Sequence, residues 1–352
     1  MPVLLSAGDF ITEAGKIPVV DVRSPGEFSR GHFPGSHNIP LLNDEERASV
    51  GTAYKREGRE KAVIRGFELA GHKFSGYILN ALEAAPRKEI ILYCWRGGMR
   101  SGIMAWLLGM AGFRVLLLKG GYKTFRKWAL ETLSARRSLV VVGGKTGCGK
   151  TELLRCLAEI GEQVIDLENL ASHKGSAFGA LGLPPQPKTE HFENMLAMAW
   201  HRTNPDLPVW IENESRLIGS VKIPDTVFAQ ILEAPVADIR LPESERIKRI
   251  KAEYAVHPVE QLAENTAKLR KRLGHQRLAE AIACLKERNF EGWIKIVLAY
   301  YDKTYGYGLS LRKKESLIPV SLESEDYRIN AACVRDTIMH WQQTAALPGK
   351  RQ

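Results

Sequence analysis

Two short glycine-containing stretches hold the residues best suited to chemistry. Gly144-Lys145-Thr146-Gly147-Cys148-Gly149-Lys150-Thr151 fits the pattern G-x-x-x-x-G-K-[ST]. An apolar run, SLVVVGG (138–144), precedes it, and TELLRCLAEI follows as a helix. That strand–loop–helix setting is what the pattern needs to act as a phosphate cradle. Gly144, Gly147 and Gly149 permit backbone angles that turn successive N–H groups towards one anion. The helix N-terminus adds partial positive charge, Lys150 adds a full one, and the Thr151 hydroxyl is placed for Mg²⁺. The pattern establishes a phosphate site without establishing ATP hydrolysis. Glu212 after VWI and Asp166 after VI both qualify as the acid expected at a neighbouring strand end. Glu214 and Arg216, in ENESR, are candidates to face the same phosphates.

The second stretch is Cys94-Trp95-Arg96-Gly97-Gly98-Met99-Arg100-Ser101. It lies between the β-rich run EIILYC (89–94) and an apolar helical pattern from Ser101 to Gly112. A cysteine so placed meets a helix N-terminus and two arginines, Arg96 and Arg100, and both favour the thiolate. Consecutive N–H groups in a loop with two glycines can wrap a sulfur and cradle an incoming anion. Cys148 is a weaker candidate, because its slot in the phosphate pattern tolerates many residue types. Cys156, Cys284 and Cys333 read as core positions on helical faces.

These loops need rigid elements around them, and the sequence supplies two sets. IPVVDV (17–22), EIILYC (89–94) and RVLLLKGG (114–121) alternate with helical patterns, which argues for a parallel sheet with helices on its faces. KTFRKWALETLSARRS (123–138) reads as a closing helix that becomes a linker. The pattern then restarts with SLVVVGG, QVIDL (163–167), PVWIE (208–212) and ADIRL (237–241), interrupted by the loop 174–188. From Pro242 onward the chain reads as mainly helical, with ESLIPVSLES (315–324) returning as a strand. The expected organisation is therefore 1–130, an α/β core over 131–241, and a helical region over 242–352 that completes the second domain, with the main boundary near 130–138.

A chain of 352 residues can bury a core without covalent staples. Its five cysteines are odd in number and widely spaced, so neither a disulfide framework nor a paired-cysteine metal site is expected, and a reducing cytoplasm fits best. No run approaches the length of a membrane span, and MPVLLSAGDF lacks the layout of a secretion signal. Charge is uneven. Residues 1–130 hold 19 Lys and Arg against 12 Asp and Glu, a net of +7. Residues 131–239 hold 10 against 14, a net of −4, and residues 240–352 hold 21 against 14, a net of +7. Basic blocks on either side of an acidic centre point to a polyanionic partner, with nucleic acid the first candidate. Lys268, Arg270, Lys271, Arg272 and Arg277 form one cluster, and Arg246, Lys248, Arg249 and Lys251 another. Tyr300, Tyr301, Tyr305 and Tyr307 could stack on an unpaired base or line an apolar pocket, with Asp302 among them.

The cysteine loop also has a familiar setting. Asp21-Val22-Arg23-Ser24-Pro25 with Glu27-Phe28, then Gly31-His32-Phe33-Pro34-Gly35-Ser36-His37-Asn38-Ile39-Pro40, and Leu118-Lys119-Gly120-Gly121 followed by Trp128, resemble the rhodanese pattern. The resemblance spans most of residues 5–130 and implies a cysteine that carries a chalcogen atom. The loop departs from common rhodaneses in one respect. Five residues separate Cys94 from Arg100, the spacing of cysteine-dependent phosphatases, although no Asp general acid is identifiable nearby.

Rhodanese-like residues followed by a phosphate loop, together with CWRGGMRS, GGKTGCGKT, WIENESRLIG and YYDKTY, closely resemble the bacterial tRNA 2-selenouridine synthases over nearly the whole chain. The resemblance implies a rhodanese-like parallel-sheet domain joined to a P-loop α/β domain with a mainly helical C-terminal region. It further implies conversion of 2-thiouridine to 2-selenouridine at the wobble position of the tRNAs for lysine, glutamate and glutamine. In that scheme geranyl diphosphate alkylates the sulfur, and selenium from selenophosphate then displaces it. No firmly bound cofactor is implied beyond a possible Mg²⁺, and the partners are tRNA and an enzyme that supplies selenophosphate. Cys94, Arg96 and Arg100 would handle selenium, and Gly144, Gly147, Gly149, Lys150, Thr151, Glu212 and Asp166 would handle the diphosphate. Arg216, Lys271, Arg272, Tyr301, Asp302 and Tyr305 would contact substrate. Two other readings stay open on the residues alone: an ATP-dependent tRNA sulfur-transfer enzyme, and a cysteine phosphatase with a nucleotide-binding domain.

Overall fold

The computed structural model describes residues 2–322 and 326–346. The chain forms two compact units. One comprises the residues up to 133 together with 188–198, and the other comprises 134–187 and 199–352.

The first unit is built on five parallel strands: β1 (Val3–Leu5), β2 (Val19–Asp21), β3 (His37–Asn38), β4 (Glu89–Tyr93) and β5 (Arg114–Leu118). Their order across the sheet is β1-β5-β4-β2-β3. Ile90, Ile91, Leu92 and Tyr93 are all buried, the continuous apolar run expected of a strand covered on both faces. One face packs Met104, Ala105 and Leu108 of the helix Met99–Met110 against Val115 and Leu117. That helix begins two residues before the expected start, so Arg100 and Ser101 sit in its first turn. The strands β1 and β3 were not expected, being only three and two residues long.

The second unit carries β6 (Leu139–Gly144), β7 (Gln163–Ile165), β8 (Val209–Glu212), a β9–β10 hairpin (Leu217–Ile218 and Val221–Lys222), β11 (Val236–Arg240) and β12 (Leu317–Ser321). The five longer strands pair in parallel in the order β12-β11-β6-β8-β7. The strand expected over 315–324 is β12, and Glu323 and Ser324 lie outside the described residues. A separate apolar cluster, including Leu262, Leu285, Trp293 and Leu298, holds the later helices together. The loop at Gly147 abuts this helical layer: a Cβ there would stand 2.7 Å from Ile250 Cδ1, so only glycine lets the helix Glu243–Tyr254 close over the loop.

One segment departs from the expected division. Lys188–Met198 belongs to the first unit although it follows the phosphate loop in sequence. The reason is a polar seam. Tyr122 Oη donates to Glu190 Oε1 at 2.6 Å, Asn194 Nδ2 donates to the His32 carbonyl at 2.9 Å, and Arg126 pairs with Glu193. His191 stacks on His32 at 3.8 Å, and burial followed by the charge of His32 pushes its imidazole down to about 4. None of these long-range pairings leaves a local signature.

Candidate active sites on two parallel sheets

Each loop follows a central strand of its sheet. Ligands gather at the carboxyl ends of such strands, where the connections on either side diverge.

Cys94 follows β4 and is 3% exposed. Its Sγ accepts a hydrogen bond from the Gly98 N–H at 3.3 Å and lies 3.2 Å from Ser101 Oγ. The loop is fixed from beneath, because the Tyr122 N–H donates to the Cys94 carbonyl at 2.8 Å and the Lys123 N–H to that of Trp95 at 3.0 Å. Gly97 has φ +63°, and a Cβ there would lie 2.9 Å from the Gly120 nitrogen, so this turn admits no side chain. Arg96 is exposed. Arg100 is placed otherwise than expected. Its guanidinium forms a forked pair with Glu27, at 2.5 and 3.3 Å, instead of being left free for an anion. Burial alone would raise the Glu27 carboxyl, but Arg100, the Ser24 N–H and Arg47 outweigh it and hold Glu27 below the ordinary range. The sulfur is thus cradled by backbone and a hydroxyl, while Arg100 locks the helix start onto the segment 24–27.

Behind the loop lies a fully buried ion pair. Arg23 donates to both Asp21 oxygens and to the Gly31 carbonyl, with its guanidinium carbon 3.8 Å from the Tyr122 ring centre. Burial outweighs the arginine's pull and leaves the Asp21 carboxyl above its usual range.

In the phosphate loop, Gly147 and Gly149 have φ of +83° and +82°, the latter at the cap of the helix Lys150–Glu159. Lys150 Nζ rests 3.2 Å from the Gly144 carbonyl. Burial works against its charge, yet the surrounding acids, Glu168, Glu214 and Glu212 among them, raise it above an ordinary lysine. Cys148 is buried, and burial pushes its thiol up, so it packs as a neutral side chain.

The acids separate into distinct places. Glu212 ends β8 and is wholly buried; Oε2 accepts from the Leu167 N–H at 2.6 Å, and among the described residues Oε1 meets no donor. Burial first, then the charges of Asp166 and Glu168, raises its carboxyl well above the usual range. Asp166 itself caps the short helix Leu167–Ala171 through the Asn169 N–H. The group that meets the Thr151 hydroxyl is Glu168, at 3.2 Å, a residue not picked out from the sequence. The signal was there, since IDLEN carries a second acid two positions after Asp166. Glu214 joins this cluster, where burial and then Glu168 push it up to about 8. Arg216 does not join it. The side chain pairs with Asp225 at 2.9 Å and covers the Phe228 ring.

Asp302 and Tyr305 act behind the loop. Asp302 accepts two 2.8 Å bonds from Arg246, which is 2% exposed and donates to the Thr146 carbonyl. Lys145 rests 3.3 Å from the same carboxylate. Arg246 is therefore a loop brace, not one of the exposed cations expected from its basic cluster. Tyr305 donates to Asp238 on β11 at 2.7 Å. Tyr301 accepts from the Ala177 N–H and lines an apolar cleft with Thr146, Ile250, Tyr254 and Trp293. Arg272 donates to Tyr300, whereas Arg270, Lys271 and Arg277 are exposed and in no ion pair among the described residues. Cys156 is buried as expected, but Cys284 is half-buried and Cys333 exposed.

A thiol loop on one parallel sheet and a phosphate-type loop on another define a protein of the rhodanese-plus-P-loop class. Residues 7–127 match the rhodanese-like domain, and residues 137–329 match the tRNA 2-selenouridine synthase AAA domain. The tRNA 2-selenouridine synthase of Hydrogenovibrio crunogenus is 38% identical over 87% of this chain and 92% of its own length. Those of Marinobacter nauticus and Hahella chejuensis are each 33% identical, over 86% and 94% of this chain and 91% and 93% of theirs. The chain belongs to the tRNA 2-selenouridine synthase family, enzymes of tRNA modification. Among the described residues no helix is long and apolar enough to cross a membrane.

Proposed function

We propose that this chain converts 2-thiouridine to 2-selenouridine at the tRNA wobble position in two steps, one served by each loop. In the first, the thiocarbonyl sulfur attacks C1 of geranyl diphosphate, the C1–O bond breaks, and diphosphate leaves with the electron pair. The phosphate loop would bind that diphosphate and stabilise the charge it gains on leaving, through N–H groups and Lys150. In the second, the selenium of selenophosphate bonds to the uracil C2, the geranyl thiolate departs with the electron pair of the C2–S bond, and water then takes the phosphoryl group as the Se–P bond breaks and leaves its electron pair on selenium. Cys94 is the thiol that handles the selenium donor, and Arg96 is the free cation for the donor's phosphate. Arg270, Lys271 and Arg277 supply exposed charge for the backbone of the tRNAs for lysine, glutamate and glutamine. A selenophosphate-supplying enzyme is the partner this scheme requires.

The observation that carries the diphosphate half is the loop itself, with Gly147 and Gly149 held at positive φ after β6 and Lys150 at the start of the helix that follows. The apolar cleft that Ile250, Tyr254, Trp293 and Tyr301 form beside Thr146 is about 30 Å³, a gap in the packed helical layer far smaller than a geranyl tail. The oxygen donors near the loop suit Mg²⁺ as an accessory: Thr151 and Glu168 would hold it, and it would neutralise charge on the bound diphosphate. Among the described residues no group of three or more acids, histidines or cysteines is placed to hold a metal by itself, so substrate oxygens would complete such a site.

The test supplies the full-length protein with a 2-thiouridine anticodon stem-loop and geranyl diphosphate, or with ATP instead, and weighs the nucleosides. A geranylated nucleoside that turns into the selenium form on adding selenophosphate is the expected result. An unchanged nucleoside with RNA-stimulated phosphate release from ATP would favour ATP-dependent sulfur transfer. Hydrolysis of an aryl phosphate that is lost in Cys94→Ala would favour the phosphatase.

A further inference from the structure

We propose that the indole of Trp95 is the platform on which the target base stacks at the cysteine loop, with Lys119 and Lys123 taking the adjacent RNA phosphates. The proposal rests on the reading of this chain as a wobble-thiouridine enzyme and adds the residue that receives the base.

Trp95 follows the reactive thiol directly and is 36% exposed, whereas Cys94 itself is 3% exposed. Residues 95–99 are all exposed, so the sulfur is approached across this loop. The inner side of the indole is filled. The Tyr122 ring lies 5.6 Å away at an interplanar angle of 41°, and the Arg23 guanidinium carbon lies 5.7 Å from the indole centre. Arg23 is wholly buried and locked on Asp21, and Tyr122 is held by Glu190 and Asn194, so this backing is rigid. The Lys123 N–H pins the Trp95 carbonyl at 3.0 Å. A flat aromatic surface, backed on one side and held at a nucleophile, is what a splayed-out base needs for stacking.

The charge around it fits the same partner. Lys119 and Lys123 are exposed and enter no ion pair among the described residues. Lys119 and Lys123 flank the Gly120–Gly121 turn that packs under Gly97, which brings their backbone to the cysteine loop. By contrast Arg100, Arg126 and Arg47 are committed to Glu27 and Glu193. Free cations around a stacking surface track a nucleic acid backbone.

The experiment is a binding cycle read by fluorescence anisotropy, using full-length protein and labelled anticodon stem-loops with either 2-thiouridine or an abasic residue at the wobble position. Removing the base should weaken binding to the wild type by roughly tenfold or more, as expected when a base–aromatic stack is lost. The same removal should change binding to Trp95→Ala by less than about twofold, with Trp95→Phe behaving like the wild type. Equal losses for wild type and Trp95→Ala would overturn the platform, as would a wild type that does not bind the stem-loop at all and so leaves this surface to a protein partner. Trp95→Leu, which fills the site without an aromatic face and should also bind both stem-loops within about twofold of each other, replaces Trp95→Ala should that variant fold poorly. Coupling in this cycle alongside an unchanged nucleoside in the activity assay would leave the platform standing and sink the two-step function.

Discussion

The two loops begin from the same architecture and reach opposite electrostatic states. Each leaves a central parallel strand, turns on glycines held at positive φ, and feeds a helix N-terminus. At the cysteine loop one arginine, Arg100, is neutralised by Glu27, while Arg96 stays open and the sulfur is held by Gly98 and Ser101. At the phosphate loop both lysines are engaged, Lys150 by the Gly144 carbonyl and Lys145 by Asp302, with Glu168, Glu212 and Glu214 close behind. The first site offers a thiol and an open approach. The second holds Lys145 on Asp302 and Lys150 on a backbone carbonyl, beside acids whose carboxyls burial pushes up. The comparison teaches that a shared fold logic fixes where a loop and a helix start stand, while the side chains around them fix which charges are left open.

The sharpest way to break this contrast is to remove a cation that the second loop cannot replace. Lys150→Ala should lower geranylation by roughly a thousandfold, the scale of losing a charged group that stabilises a departing oxyanion. Single-turnover mass spectrometry of the nucleosides would measure it, and a loss below tenfold would mean the loop does not serve the alkylation. A smaller effect should follow from Asp302→Asn. That change loosens Arg246 and releases Lys145, so KM for geranyl diphosphate should rise by about tenfold with kcat changing less, since the brace acts on binding. An unchanged KM would reduce Asp302 to packing.

The smallest effect concerns stability. Glu214 is pushed up to about 8, so between its unfolded value near 4.5 and about 8 the native state holds a proton that the unfolded chain has released. Its contribution to stability is therefore present below 4.5 and is lost as pH rises towards 8. Glu214→Gln cannot ionise and should gain stability relative to wild type at pH 8 compared with pH 5, by about 3 kcal/mol or several degrees in the melt. Parallel melting curves at both pH values would show Glu214 ionising without cost.

Much of this was legible in sequence wherever a feature was local. The strands around both loops, the two glycine patterns and the Cys94–Arg100 spacing all sit within a few residues of one another. What sequence could not show was partner choice at a distance. Arg246 looked like one more cation in a basic helix, yet it is buried on Asp302, 56 positions away. Arg100 looked like an anion ligand, yet it is taken by Glu27 across 73 positions. Glu168 was passed over because Asp166 stood at the strand end, and only the fold decides that Asp166 caps a helix while Glu168 meets Thr151. The excursion of Lys188–Met198 onto the first unit is invisible for the same reason. Periodicity marks which face of a helix is buried but not against what.

The division of labour between the loops is the central claim, and one measurement tests it directly. Cys94→Ala and Lys150→Ala are each incubated with a 2-thiouridine stem-loop, geranyl diphosphate and selenophosphate, and the nucleosides are weighed over time. The expected result is that Cys94→Ala accumulates the geranylated nucleoside without selenium entering, whereas Lys150→Ala leaves the thiouridine unalkylated. Equal loss of both steps in each variant would contradict the account, since the two loops would then be parts of a single step.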